Sequence, residues 1–310
     1  IQLSSRQVSF YLKGLAIGLL TSAVLGLIVT LINPSPSHPL IEPLVSLGSL
    51  HQAMQPGQPD RFAAGGFFFH RLKYAHLSLL LLPVLFVLHR RLAYFGLAIV
   101  LIALTQSQAT WAAVSLVCMS IIFVTFRIWL PRSLSFYLMA ILAVVTGLHA
   151  FMSDQHGRRA EIIAGSPSLT TRQFMAEQAI EIIVDKPGGL GHGGFKHWSL
   201  SNYPTKLNNR QLPRTLPHNL GLSTVVETGF LGWTLMVTLL TYLLGLSLKA
   251  FEMKMPAGQE VRLLSLIVGN ATIALICLGL LHDPLYHKPV AFGWMLIIAL
   301  AHRLRSLYSI

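Results

Sequence analysis

Residues 220–248 read Leu220-Gly-Leu-Ser-Thr-Val-Val-Glu227-Thr-Gly-Phe-Leu-Gly-Trp233-Thr-Leu-Met-Val-Thr-Leu-Leu-Thr-Tyr242-Leu-Leu-Gly-Leu-Ser-Leu248, with Glu227 the one charged residue. As a helix this run is about 43 Å long, more than the roughly 30 Å hydrocarbon core of a bilayer. It therefore reads as a membrane span. Working outward, Phe10–Ile32, Leu72–Leu88, Leu92–Leu104, Trp111–Phe126, Leu134–Phe151, Leu263–Leu281 and Val290–Leu304 are further apolar runs, giving eight spans. Leu92–Leu104 is too short to cross without help from its flanks. Of the 310 residues, 53% are hydrophobic and 11% charged, against about 25% charged in a soluble domain. That balance excludes a cytosolic enzyme, a nucleic-acid binder, a disulfide scaffold and a disordered chain. Cys118 and Cys277 both fall inside apolar runs, so neither reads as a disulfide partner or metal ligand. The predicted fold is an all-α polytopic bundle of about eight spans with one long outside loop.

Basic residues orient the bundle. With the N-terminus in the cytoplasm, short inside segments carry Arg6, Lys13, Arg90, Arg91, Arg127, Arg132, Lys249, Lys254, Arg262, Arg303 and Arg305. Short outside segments carry Arg61, Arg71, Lys73 and Lys288. The positive-inside rule favours this orientation, with both ends of the chain cytoplasmic. The organisation is then 1–152 for spans one to five, including an outside segment at 33–71; 153–217 for the long outside loop; and 218–310 for spans six to eight. The span interiors hold almost no ionisable group. An ion-coupled transporter would keep some at the midplane, so the chemistry belongs at the outer face.

The loop 153–217 is too long for a simple connection and too rich in Phe174, Ile180, Ile182, Ile183, Phe195 and Trp198 to be disordered. From Thr170 to Asp185 it reads as a surface helix, capped by Thr170 or Thr171 and ended by Pro187-Gly188. Glu177, Glu181 and Asp185 recur every four residues as a solvated acidic stripe. Pro187-Gly-Gly-Leu-Gly-His192-Gly-Gly-Phe195 follows. No strand precedes it and no helix obviously follows, which excludes a dinucleotide loop. It reads as a turn packing closely on the membrane domain, or else as a backbone cradle for phosphate oxygens.

The loop closes on Arg210-Gln-Leu-Pro-Arg214-Thr-Leu-Pro217-His218-Asn219. Asn219 is a good N-cap for the helix that starts at Leu220. His218 then lies just outside a helix N-terminus, where the dipole disfavours the imidazolium and keeps the ring a proton acceptor. The same helix end attracts anions. Glu227, nine residues on, is about 180° around the helix from His218. It reads as a buried partner for a neighbouring helix or the loop, while Gly229 and Gly232 read as close-packing positions.

Pro217-His218-Asn219-Leu220 followed by Val226-Glu227-Thr228-Gly229-Phe230-Leu231-Gly232 resembles the C-terminal signature of the O-antigen ligase family, which includes O-antigen polymerases and bacterial O-oligosaccharyltransferases. Arg172 with Asp185-Lys-Pro-Gly-Gly-Leu-Gly-His-Gly-Gly-Phe195 resembles the family's Arg…Asp-x-Pro…Gly-x-Gly…Phe run. Arg61-x-x-x-Gly65-Gly66-Phe67 with His70 and Tyr74 resembles the approach to an earlier helix. Thr105-Gln-Ser107-Gln108 resembles the Thr-x-Ser-Arg turn, with Gln108 in place of arginine. Members of that family usually have more than eight spans, and the resemblance would put the missing ones before Ile1.

The resemblance implies a periplasmic glycosyltransferase of the bacterial inner membrane. It would move a glycan from undecaprenyl diphosphate to a lipid A–core sugar hydroxyl, without metal or cofactor and with inversion. A polysaccharide polymerase or a protein O-oligosaccharyltransferase is the alternative within the family, and an exporter or flippase the one outside it. The implied partners are the lipid-linked glycan, the lipid A–core acceptor and membrane lipids, with no nucleic acid. His218 would be the general base. Arg71, Arg172, Arg214 and Arg210 would hold the departing diphosphate through paired contacts. Asn219, Glu227, Lys73 and His70 would support them. The outside acids Glu42, Asp60, Asp154, Glu161, Glu177, Glu181, Asp185 and Asp283 form no Asp-x-Asp pair, so metal-assisted transfer is disfavoured.

Overall fold

The computed structural model describes residues 4–35, 37, 42, 54–55, 58–62, 65, 70–88, 96, 167–202, 206–207, 210–211, 217–252 and 259–308. The elements are α1 (Ser5–Ile32), β1 (Met54–Gln55), β2 (Gln58–Phe62), α2 (Arg71–Leu81), α3 (Pro167–Asp185), α4 (Gly194–Asn202), β3 (Lys206–Leu207), β4 (Arg210–Gln211), α5 (Leu220–Glu252), α6 (Gln259–Leu281) and α7 (Lys288–Tyr308). Among the described residues the strands form two small antiparallel ribbons and the other elements are helices, with short 3-10 turns at Leu82–Val87 and Pro284–Tyr286. This is an integral membrane protein. Among the described residues, α1, α5, α6 and α7 contain apolar stretches long enough to cross a bilayer.

Four of the expected spans correspond to these helices. The expected spans Leu92–Leu104, Trp111–Phe126 and Leu134–Phe151 lie outside the described residues. Leu72–Leu88 departs from expectation. It is α-helical only to Leu81, and Pro83 then drives a 3-10 turn, because proline offers no N–H to the helical ladder. Its apolar stretch, Leu72–Leu85, is shorter than a full span.

The main core joins Val8, Leu12 and Ala16 of α1 to Leu79 and Leu80 of α2, Leu243 of α5, Leu264, Ile267 and Leu275 of α6, and Ile297 of α7. Small residues allow the close approaches. Gly279 faces Leu220, and Gly293 faces Leu77 and Leu80. In α5 and α6, Ser265 donates to the Ser247 carbonyl at 2.6 Å while Ser247 donates back to the Ser265 carbonyl. Such hydroxyl bonds suit an apolar surround that offers no water. At one end of the bundle, Arg303 Nε donates to Glu260 Oε1 at 3.2 Å and its Nη2 to Ser5 Oγ at 3.3 Å. The start of α1, the start of α6 and the end of α7 are thereby tied together.

A second, smaller core fastens the loop helices to the bundle. Met175, Ala179 and Ile182 of α3 and Phe195 of α4 close over Val226 of α5, and all are fully buried. Gln178 accepts from Ser199 Oγ at 2.9 Å between α3 and α4. Two sequence expectations are corrected here. The surface helix starts at Pro167, so Thr170 and Thr171 lie inside it and do not cap it; proline in a first turn gives up an N–H that has no partner there. A helix, α4, does follow the glycine run.

Candidate functional site

Leu220 begins α5, and Asn219 caps it: Asn219 Oδ1 accepts from Leu222 N at 3.0 Å while its Nδ2 donates to the Leu280 carbonyl at 3.0 Å. The cap therefore fixes both the start of α5 and the end of α6. His218 precedes it in the left-handed region, at φ 58°, a conformation that costs a side-chain-bearing residue about 1–2 kcal/mol. The surroundings hold it there. The buried carboxyl of Asp283 accepts the backbone N–H groups of His218 and Asn219 and the hydroxyl of Ser223. Burial raises the Asp283 carboxyl to about 6, helped by the charge of Glu227 and opposed by those hydrogen bonds.

α5 is broken at Gly229, with φ 70° and ψ −176°. The glycine loop enters the break. Phe230 N donates to the Pro187 carbonyl at 3.2 Å, Leu190 N to the Val226 carbonyl at 2.8 Å, and Gly191 N to the Glu227 carbonyl at 2.8 Å. Gly189, at φ 82°, lies so close that a Cβ there would meet Gly229 N at 2.5 Å. The loop is therefore the tight-packing turn expected from its composition. The phosphate-cradle reading is overturned, because the amides of Leu190, Gly191 and Gly193 are all bonded to α5.

Glu227, 2% exposed, is the centre of this joint. Its Oε1 accepts from Gly193 N at 2.9 Å; its Oε2 accepts from Tyr286 Oη at 2.7 Å and lies 3.1 Å from His192 Nδ1. The rings of His192 and Tyr286 stack, with centroids 6.0 Å apart and 14° between planes. Burial and this carboxylate push the Tyr286 phenol well up, so it stays a donor.

Beside this joint lies a layer of imidazoles. His70 caps α2, its Nδ1 accepting from Lys73 N at 3.4 Å. Its ring is 5.8 Å from that of His287, and the buried ring of His76 is 5.6 Å from His287 and 5.1 Å from His282. Burial lowers His287 to about 4, with the nearby Lys73 and His218 adding to the effect. His287 is thus neutral at physiological pH.

Of the residues singled out in the sequence, His218, Asn219, His70 and Lys73 converge on the 282–287 segment, and Glu227 reaches it through Tyr286. Arg71 opens α2, Arg172 lies in α3 and Arg210 in β4, their side chains lying outside the described set. Arg214 lies outside it altogether. Sequence reasoning missed His192, Tyr286 and His287, and gave Asp283 no role. The available signal was Leu281-His-Asp-Pro-Leu-Tyr-His-Lys-Pro289, a polar run between two apolar ones.

A family model described as O-antigen ligase matches residues 93–237, a stretch that includes the glycine loop, His218 and Glu227. No curated protein matches the chain.

Proposed function

Since residues 93–237 match the O-antigen ligase family model, we propose that the chain is an enzyme of that family and transfers a glycan from undecaprenyl diphosphate to a lipid A–core sugar hydroxyl at the periplasmic face of the bacterial inner membrane. The observation that carries this reading is the perch of His218. A half-buried imidazole stands ahead of a capped helix N-terminus, its own backbone N–H held by a buried carboxylate.

His218 takes the proton of the acceptor hydroxyl. The oxygen forms a bond to the anomeric carbon as the bond from that carbon to the diphosphate oxygen breaks, and the electron pair leaves with the diphosphate. Attack from the face opposite the leaving group inverts the centre. Arg71, Arg172, Arg210 and Arg214 neutralise the charge that develops on the leaving diphosphate. Asn219, Glu227, Lys73 and His70 hold the site in shape. In this reading the arginines carry the charge stabilisation that a metal would otherwise supply, and the sugar–diphosphate bond supplies the driving force.

Purified protein, a lipid-linked glycan and lipid A–core test the reading. His218→Ala is expected to lower turnover by about 10²–10⁴-fold; an unchanged rate removes the base assignment. EDTA is expected to leave the rate intact, and a loss restored by Mg²⁺ or Mn²⁺ removes metal independence. Lipid translocation with no new glycosidic bond would point to a flippase.

A further inference from the structure

A cavity of about 430 Å³ opens beside the Glu227 joint, within the usual range for ligand pockets. Its polar lining comes from His192, Thr224, Thr228, Tyr286 and Lys288. Apart from those of Lys288, the protons of that lining are already committed. Thr224 Oγ1 donates to the Leu220 carbonyl and Thr228 Oγ1 to the Thr224 carbonyl, both at 2.7 Å. Tyr286 donates to Glu227 at 2.7 Å. Glu227, a carboxylate already accepting from Tyr286 and Gly193, takes its third hydrogen bond from His192 Nδ1–H. In the neutral imidazole this fixes the tautomer and leaves Nε2 with a lone pair and no proton.

With the His192 ring neutral, the cavity presents lone pairs at His192 Nε2, Thr224 Oγ1 and Thr228 Oγ1. Among its described lining side chains, Lys288 alone has uncommitted N–H groups. A phosphate, which only accepts, is a poor match for three acceptors. A polyol, whose hydroxyls donate, is a good one. The geometry points to this cavity as a saccharide subsite that takes hydroxyls of the acceptor glycan, with His192 as its specificity-determining contact. The assignment rests on the transfer reaction proposed above and adds to it a place for the acceptor.

Calorimetric titration of the full-length protein with delipidated core oligosaccharide tests the subsite apart from transfer. His192→Phe keeps the ring and removes both nitrogens. It is expected to weaken oligosaccharide binding and raise the acceptor KM, each about tenfold, the scale of one lost hydrogen bond. The donor KM should stay where it is. Glu227→Gln offers an amide donor to Nδ1 and moves the imidazole proton to Nε2. It should weaken oligosaccharide binding as well, with the tautomer change visible in the ¹⁵N spectrum of labelled histidine. Inorganic diphosphate should not compete with the oligosaccharide.

Unaltered oligosaccharide binding by His192→Phe overturns the subsite, as does competition by diphosphate. Wild-type protein that binds the oligosaccharide but forms no glycosidic bond leaves the subsite standing and removes the transfer reaction. Wild-type transfer matched by His192→Phe does the reverse.

Discussion

The phenol of Tyr286 donates to the carboxylate of Glu227 at 2.7 Å, joining the turn before α7 to a buried position in α5. The same carboxylate receives His192 and Gly193. Removing it leaves three donors without their acceptor, whereas removing the phenol costs one bond. Glu227→Ala is expected to destabilise the protein by about 3 kcal/mol and Tyr286→Phe by about 1 kcal/mol. Thermal unfolding in detergent reads the difference, and amide exchange at 188–193 should quicken far more in the first variant.

Two neighbouring glycines separate backbone strain from contact. Gly189 and Gly191 have almost the same positive φ, 82° and 83°. A Cβ at Gly189 would run into the backbone of Glu227 and Gly229, while at Gly191 it would meet nothing within 4 Å. Gly191→Ala should cost about 1–2 kcal/mol for the left-handed conformation alone. Gly189→Ala should also push the loop off α5, and limited proteolysis of the 186–194 segment should detect only this second change.

His218→Gly removes the imidazole and the penalty of its backbone at once. Stability is expected to rise by up to about 1 kcal/mol, because glycine is at ease at φ 58°. Transfer should fall as far as in His218→Ala. A stabilised and inactive variant would locate the loss in chemistry; an active one would remove His218 from the reaction.

Acid should act on function and stability in different ways. With Asp283 at about 6, lowering the pH through that value neutralises the group that holds the His218 and Asn219 amides, so transfer should decline there. Asp283→Asn should flatten this limb at a reduced rate. Its folded pKa exceeds the unfolded value near 3.9, so folding takes up a proton, and this contribution to stability is lost as pH rises from about 4 to 6. His287 has the opposite sign. Lowered to about 4 from an ordinary 6.5, it contributes stability that is lost as pH falls through that window. The two slopes oppose one another, so thermal unfolding of Asp283→Asn should lose the first between pH 4 and 6 and keep the second.

Much of this arrangement was legible in the chain. Apolar length located α1, α5, α6 and α7, and Asn219 marked the start of α5, because helix ends leave amides that a short polar side chain satisfies. Glycine density announced the turn at 187–194. The break at Gly229 was not legible, since Glu-x-Gly-x-x-Gly is compatible with an unbroken helix and only the incoming loop carbonyl of Pro187 makes the gap favourable. The roles of Asp283, Tyr286 and His192 depend on contacts across 35 to 60 residues, which no local pattern encodes. The start of the surface helix was misplaced because two threonines look like caps while Pro167 opens the first turn.

The interruption at Gly229 also divides the length of α5. The part that follows, 230–252, is about 34 Å long by itself, enough to cross a bilayer core. The first turns, 220–228, are surplus to the length that crossing needs. The acid at 227 lies in that surplus, on the N-terminal side of the break. Its hydrogen-bond partners come from a loop and a turn, His192, Gly193 and Tyr286, rather than from another span.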